Sequence, residues 1–369
     1  MPSQPPIPHI LSPYLTHSTH SAQSLTIITS VLAATPNWLV LRYLHSVLSA
    51  ATEHGQTHPY QGGKKRRRAK RVVLVSFLRD WLFWRGEGKR LGLDLQRFVE
   101  GNRLRFVDGL SGLFDAPQQQ PAPPQGNSRA VPTGGAMGSG RSIPMRGSVG
   151  PASIRGPPTI SPLATTPSQA KIPTLQQQQK QLHLSGQGTT ALNQLENDIL
   201  SVIKSFPNPN ATNETGEEEE EDDEDDILLI LDQPDLILAT TPGIDANDMS
   251  EWVMGLQQHV LSTIITTSAD TPLIHNANPY TANDSTATPL EKNHASFVVG
   301  LAHRADMVLQ LRTLDTGAAK DVSGVLRISR GGGYQPELEG GKEDEVIEKE
   351  ALYFVQRDGG VRVFGRGEV

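Results

Sequence analysis

Apolar and polar positions recur along this chain at two periods that take turns, one suited to strands and one to helices. Residues 24–29 (SLTIIT) form a short apolar, β-branched run that reads as a first strand. Thr35 then offers a helix N-cap and Pro36 a first helical position. From 37 to about 50, Trp38, Leu39, Val40, Leu41, Tyr43, Leu44, Val47 and Leu48 fall on nearly every side of a helix, which predicts burial on more than one face. A second strand at 71–76 (RVVLVS) precedes a helix starting near Asp80, on which Trp81, Trp84 and Leu91 share one side. A third strand follows at 103–107 (RLRFV).

A helix is predicted at 190–206, with Leu192, Leu195, Ile199 and Ile203 at steps of three and four. The apolar run 227–231 (ILLIL) then ends on Asp232, and a helix at 246–259, with Asp245 as its cap, leads to a strand at 260–265. Beyond it, 296–301 (SFVVGL), 306–311 (DMVLQL), 324–329 (GVLRIS), 351–356 and 360–364 read as strands in succession. Strands alternating with helices, then strands alone, predict an α/β fold: a twisted, mostly parallel sheet flanked by helices and extended by antiparallel edge strands. Its crossovers should be right-handed. No internal repeat is visible.

Composition limits this to one domain within 369 residues, because 34 glycines, 27 prolines and 5% aromatic residues leave long tracts without apolar periodicity. The ordered domain is expected at 23–115 and 188–366. Residues 116–187, with QQQPAPPQ and LQQQQKQ, cannot bury enough apolar surface to offset chain entropy and read as a disordered insertion. The N-terminal 1–22 is polar, lacks a signal-peptide core and is expected to be disordered. No stretch approaches 18 apolar residues, so no membrane span is expected. The absence of cysteine excludes disulfides, thiolate metal sites and cysteine nucleophiles. A cytoplasmic location follows, with the sequons at Asn210, Asn213 and Asn283 unglycosylated.

The net charge of −7 hides two opposed blocks. Ten consecutive acids at 217–226 lie in an expected acidic loop at 207–226, while Lys64, Lys65, Arg66, Arg67, Arg68, Lys70 and Arg71 fill 64–71. Without the acids the chain carries +3, and without both blocks −4. Like-charge runs repel themselves and stay solvated. The basic block suits RNA phosphates or nuclear import, and equally a solvated insertion. It has no interleaved aromatic residue for base stacking.

The chemistry expected of such a fold is missing. A phosphate-binding loop needs G-x-x-x-x-G-K-[S/T], in which backbone N–H groups cradle phosphates and Lys neutralises them. Gly63-Lys64 is followed by Lys65, Gly88-Lys89 by Arg90, and Gly341-Lys342 by Glu343. The loop at 30–35 (SVLAAT) has neither glycine nor lysine. Asp232 stands where a magnesium-holding acid would, without the hydroxyl co-ligand of a phosphate loop, so a structural or interface role fits it better. His17 and His20 have ligand spacing but no third ligand nearby. His303 and Arg304, at a predicted strand end, are candidates for a subunit interface or an ordinary solvated end. Trp81 and Trp84 are candidates for core or for a subunit contact. No H-E-x-x-H or G-x-S-x-G is present.

Four segments carry a resemblance: 24–44 (SLTIITSVLAATPNWLVLRYL), 72–85 (VVLVSFLRDWLFWR), 227–241 (ILLILDQPDLILATT) and 296–331 (SFVVGLAHRADMVLQLRTLDTGAAKDVSGVLRISRG). Together they cover about a quarter of the chain, and it resembles the family of sixth subunits of the Elongator complex in fungal form. The resemblance implies a RecA-like fold without ATPase motifs. It also implies a heterohexameric ring with the fourth and fifth Elongator subunits, contact with the core subunits, tRNA binding by the ring, and support of wobble-uridine modification catalysed elsewhere in the assembly. It implies no catalytic residue, no cofactor and no membrane partner. The alternative is a RecA-like ATPase with an atypical nucleotide pocket.

Overall fold

Each of the five apolar runs that read as strands before residue 270 enters one sheet. Numbered in chain order, these are β1 (Ser24–Ser30), β2 (Arg71–Ser76), β3 (Leu104–Asp108), β5 (Ile227–Asp232) and β6 (Ser262–Ser268). The computed structural model describes residues 7–20, 22–50, 70–115, 179–207, 227–274, 288–317, 319–335 and 346–365, which belong to one compact unit. Among them the sheet also contains β4 (Gln179–Gln181), β7 (Met307–Arg312), β8 (Gly324–Arg330), β9 (Lys349–Val355) and β10 (Val361–Phe364). The strand order is β10-β9-β8-β7-β1-β6-β5-β2-β3-β4. From β7 through β4 all pairs are parallel, and β7 through β10 pair antiparallel. One strand, β6, separates β1 from the acid-ended β5, as in a RecA-like sheet.

Strand residues divide between two cores by their period of two. Val72, Leu74, Leu228, Ile230 and Ile264 face α1 (Ser12–His20), α2 (Asn37–Ala50), α3 (Trp81–Arg90) and α4 (Leu95–Glu100). Val73, Val75, Leu229, Leu231 and Ile265 face α5 (Thr189–Lys204), α6 (Leu236–Thr240), α7 (Ala246–Gln257) and α9 (Pro289–Arg304), on which α8 (Thr271–Ile274) packs. Burial on both sides explains the unbroken apolar runs. Each fully buried Leu, Ile or Val contributes about 1.5–3 kcal/mol. The edge strand β7 instead alternates buried and half-buried residues, and its Met307, Leu309 and Leu311 enter the first core.

Three expectations change. The supposed disordered N-terminus is helical at α1, because Leu11, Tyr14 and Leu15 bury against α2. The polar residues there are satisfied inside: Ser18 Oγ bonds Thr26 Oγ1 at 2.7 Å, and Tyr14 Oη donates to the Ile347 carbonyl at 2.8 Å. The expected insertion at 116–187 also yields β4 at its end, a polar edge strand held by backbone pairing to β3 and by buried Leu182. Residues 116–178, 208–226 and the basic residues 64–68 lie outside the described residues. Finally, 296–301 is not a strand but part of α9. Thr288 and Glu291 form a capping box, Pro289 follows the cap, and His294, Phe297, Val298 and Leu301 bury at helical spacing.

The end of α9 explains the glycines after β8. Gly331 N donates to the Asp306 carbonyl at 2.9 Å, Gly332 N to Ala302 at 3.0 Å and Gly333 N to Ala305 at 2.9 Å, so this backbone serves carbonyls that a helix end leaves open. A Cβ on Gly331 would collide with the Ala305 carbonyl, and one on Gly332 would lie 2.5 Å from that of His303. Both obstacles are backbone and cannot swing aside. Replacing Gly331 with Ala should therefore destabilise the fold by about 1–3 kcal/mol, read as a lower urea midpoint at unchanged slope. Gly300→Ala, on α9 with open space around it, should be neutral or stabilising by about 0.5–1 kcal/mol. Equal effects of the two substitutions would contradict the close-approach argument.

Candidate functional site

The ends of three adjacent strands build the site. In-register pairing sets Ser76 of β2 beside Asp232 of β5, and Asp232 beside Thr266 of β6. Ser76 Oγ donates to Asp232 Oδ2 at 2.7 Å, and Thr266 Oγ1 donates to Oδ1 at 2.9 Å. The Arg79 guanidinium stands 3.6 Å from Oδ2 and stacks over Phe83, 5.1 Å from the ring centroid. Asp232 is fully buried. Burial pushes its pKa up, opposed in order by Arg79, Ser76 and Thr266, while the neighbouring Asp235 carboxylate adds to the rise. Both carboxylate oxygens are thus engaged by the chain itself.

Beyond Asp232 the chain turns through Gln233, whose φ of 58° is left-handed and costly for a non-glycine residue. The turn is held because Gln233 N donates to both the carbonyl and Oγ1 of Thr266, and Ser268 Oγ donates to Gln233 Oε1. Two residues on, Asp235 Oδ2 pairs with His294 Nε2 at 3.0 Å, and His294 Nδ1 lies 3.1 Å from the Leu273 carbonyl. A buried polar chain therefore ties β5 to α8 and α9.

The β1–α2 turn is equally closed. Ala34 N donates to the Val31 carbonyl at 2.8 Å, and Leu32 N to Asp270 Oδ1 at 3.2 Å. Its residues all keep negative φ, and Leu32 at the tip is 87% exposed. The amides of Leu32 and Ala34, which a phosphate loop would aim at its ligand, are spent inside the turn.

Of the residues singled out from sequence, Asp232 alone belongs to this cluster. Trp81 packs on Phe106 with centroids 5.3 Å apart, and Trp84 is fully buried, so both are core residues. His303 and Arg304 sit in the last turn of α9, not at a strand end. His303 is exposed, and Arg304 Nη2 donates to Gln257 Oε1 at 2.7 Å, joining α9 to α7. Lys70 is exposed, and Arg71 and Arg105 both stack over Phe206, at 5.4 and 5.3 Å. Ser76, Arg79, Thr266 and the Asp235–His294 pair were missed because only strand register and chain reversal bring them together. Among the described residues no three His, Cys, Asp or Glu side chains are grouped to hold a metal ion.

Fold and site define a RecA-like α/β domain whose strand-end acid is held by its own hydroxyls and arginine. No protein-family model matches the chain. Over 132 residues it is 27% identical to Elongator complex protein 6 of Saccharomyces cerevisiae, a match covering 36% of this chain and 45% of that protein. The match thus spans less than half the length of that relative. A KaiC-like protein of the archaeon Pyrococcus horikoshii aligns over 97% of this chain and 96% of its own, at 11% identity and a TM-score of 0.44. The fold assignment rests on strand order rather than on that likeness. Among the described residues no helix is long and apolar enough to cross a membrane.

Asp232 and Arg79 give this cluster a pH signature. Because burial raises the folded-state pKa of Asp232, its contribution is whole below the unfolded pKa and is lost as pH rises through the folded one. Arg79 limits that loss. Arg79→Met should destabilise by about 1–3 kcal/mol at neutral pH and by less at pH 4–5. In an Asp232→Asn background the penalty of Arg79→Met and its pH dependence should both shrink, as a double-mutant cycle by urea unfolding would measure. An unchanged penalty would mean that Arg79 acts through Phe83 instead.

Proposed function

We propose that this chain is a non-catalytic RecA-like subunit of an Elongator accessory ring, assembled as a heterohexamer with the fourth and fifth Elongator subunits. In this reading it works in the cytoplasm beside the core subunits, supporting tRNA binding and wobble-uridine modification without cofactor or catalysis of its own. Similarity to an Elongator subunit supports the assignment. The observation that carries it is the character of the strand-end surface. Where a RecA-like ATPase presents phosphate ligands, this chain keeps its polar groups bonded inside and exposes Leu78, Leu82, Leu110 and Phe114 on the loops after β2 and β3. The Ser76↔Asp108 pair sets those two loops side by side. Grouped exposed apolar residues mark an interaction surface.

Co-expression with the two partner subunits in nucleotide-free buffer should give one species of hexameric mass by light scattering. Leu82→Asp with Phe114→Asp should abolish it, while the isolated chain keeps its stability within about 0.5 kcal/mol, because both residues are exposed. Mg-ATP should leave the melting temperature of the isolated chain unchanged. A stable monomer that ignores both partners, or an ATP-dependent rise in melting temperature lost in Asp232→Ala, would overturn the reading.

The 64–71 block is the proposed RNA contact, and its role there is electrostatic. Each phosphate it neutralises steepens the salt slope by about 0.7–0.9. Replacing Lys64, Lys65, Arg66, Arg67 and Arg68 with Ser should weaken tRNA binding by the ring and flatten its salt dependence while assembly persists. If affinity and slope both hold, the block does not touch tRNA. A fluorescent fusion of the same variant then tests nuclear import.

A further inference from the structure

A cavity of about 250 Å³ lies beside the β1–α2 turn but takes none of the Asp232 cluster into its wall. It is bounded by Asn37 and Trp38 at the start of α2, by Glu87 of α3 and by Tyr353 of β9. Two of these residues carry buried polar atoms with no hydrogen bond inside the chain, Asn37 Oδ1 and Trp38 Nε1. The Trp38 indole lies close enough to the Tyr353 hydroxyl to counter part of the rise to about 12 that burial gives that hydroxyl's pKa, yet it closes no hydrogen bond with it. Buried groups of this kind are nearly always paired, so an open acceptor next to an open donor marks a place for a ligand.

The chemistry of the wall selects that ligand. A cation cannot satisfy an N–H donor. An anion cannot satisfy a carbonyl oxygen, and it would also meet Glu87, the only charged residue of the wall. A nucleobase has no ring face to stack on, because Trp38 and Tyr353 pack on each other with centroids 4.9 Å apart at 6% and 2% exposure. A carboxamide offers one donor and one acceptor side by side. A main-chain amide would have to bring its flanking residues into a side-chain-sized space, whereas a terminal carboxamide enters alone. We propose that this cavity receives the side-chain carboxamide of a glutamine or asparagine presented by a peptide segment of a partner protein. Its NH2 donates to Asn37 Oδ1 and its carbonyl accepts from Trp38 Nε1. The proposal stands whether or not the chain belongs to an Elongator ring.

The test uses the full chain with its tryptophan indoles labelled by nitrogen-15. Four indole signals are expected, and Trp38→Phe identifies one of them. N-acetylglutamine methylamide should move the Trp38 signal saturably in the millimolar range, as suits so small a ligand. N-acetylglutamate methylamide, N-acetylalanine methylamide and uridine monophosphate should not. Asn37→Leu should weaken the response at least tenfold, and Asn37→Asp, which keeps an acceptor, should retain it. The signals of Trp81, Trp84 and Trp252 report whether each variant is folded. If Asn37→Leu unfolds, the probe series on the unaltered chain still decides. No saturable shift with the glutamine probe, or an equal response to the glutamate or alanine probe, overturns the proposal. Preference for uridine monophosphate overturns it in favour of a base site.

Discussion

A carboxylate at the end of a strand buried on both faces has no water to solvate it, and this chain answers by register. Because β2, β5 and β6 pair in parallel, the last residues of all three come level, and Ser76 and Thr266 reach one oxygen each of Asp232. A slip of one residue would carry either hydroxyl to the opposite face. The Asp232 cluster therefore locks the register of the central sheet at the end where RecA-like domains usually hold ligands. Arg79 adds charge compensation, and the turn at Gln233 is held by the same Thr266 hydroxyl. A buried acid tied in this way specifies one arrangement more than it adds stability.

The fold was legible where both faces of a strand are buried, since an uninterrupted run such as ILLIL has few other readings. It was least legible where apolar runs belong to helices. SFVVGL reads as a strand by composition, yet the Thr288-Pro289-Leu290-Glu291 sequence just upstream carries the cap, proline and glutamate that start a helix. Weighing that start signal against the β-branched pair Val298-Val299 would have found α9. The α1 helix gave less to find: three apolar residues near its start, followed by hydroxyls whose partners lie across the fold.

The site was legible only as an acid at a strand end and a missing phosphate loop. Arg79 follows β2, Thr266 lies on β6, and His294 is 59 residues from Asp235. No local pattern joins them, because their contact depends on strand order and on the return of α9 across the sheet. The tryptophans mislead for the opposite reason. Trp81 and Trp84 have the helical spacing of a binding face, but that same spacing is what packing against β3 requires.

A nucleotide-driven domain must keep its strand-end groups unsatisfied until the ligand arrives, since only differential contacts can shift it between states. Here those groups are satisfied without a ligand. The Leu32 and Ala34 amides bond within the β1–α2 turn region, Asp232 is bound by two hydroxyls, and Asp235 is held by His294. Such an end has little to gain from a phosphate and no open ligand to trigger a rearrangement. Its apolar loops keep the same geometry at all times, which suits a surface that must always fit the same neighbour. A ring subunit of that kind would contribute shape and contact area, and the closed polar interior is what allows the surface above it to be apolar.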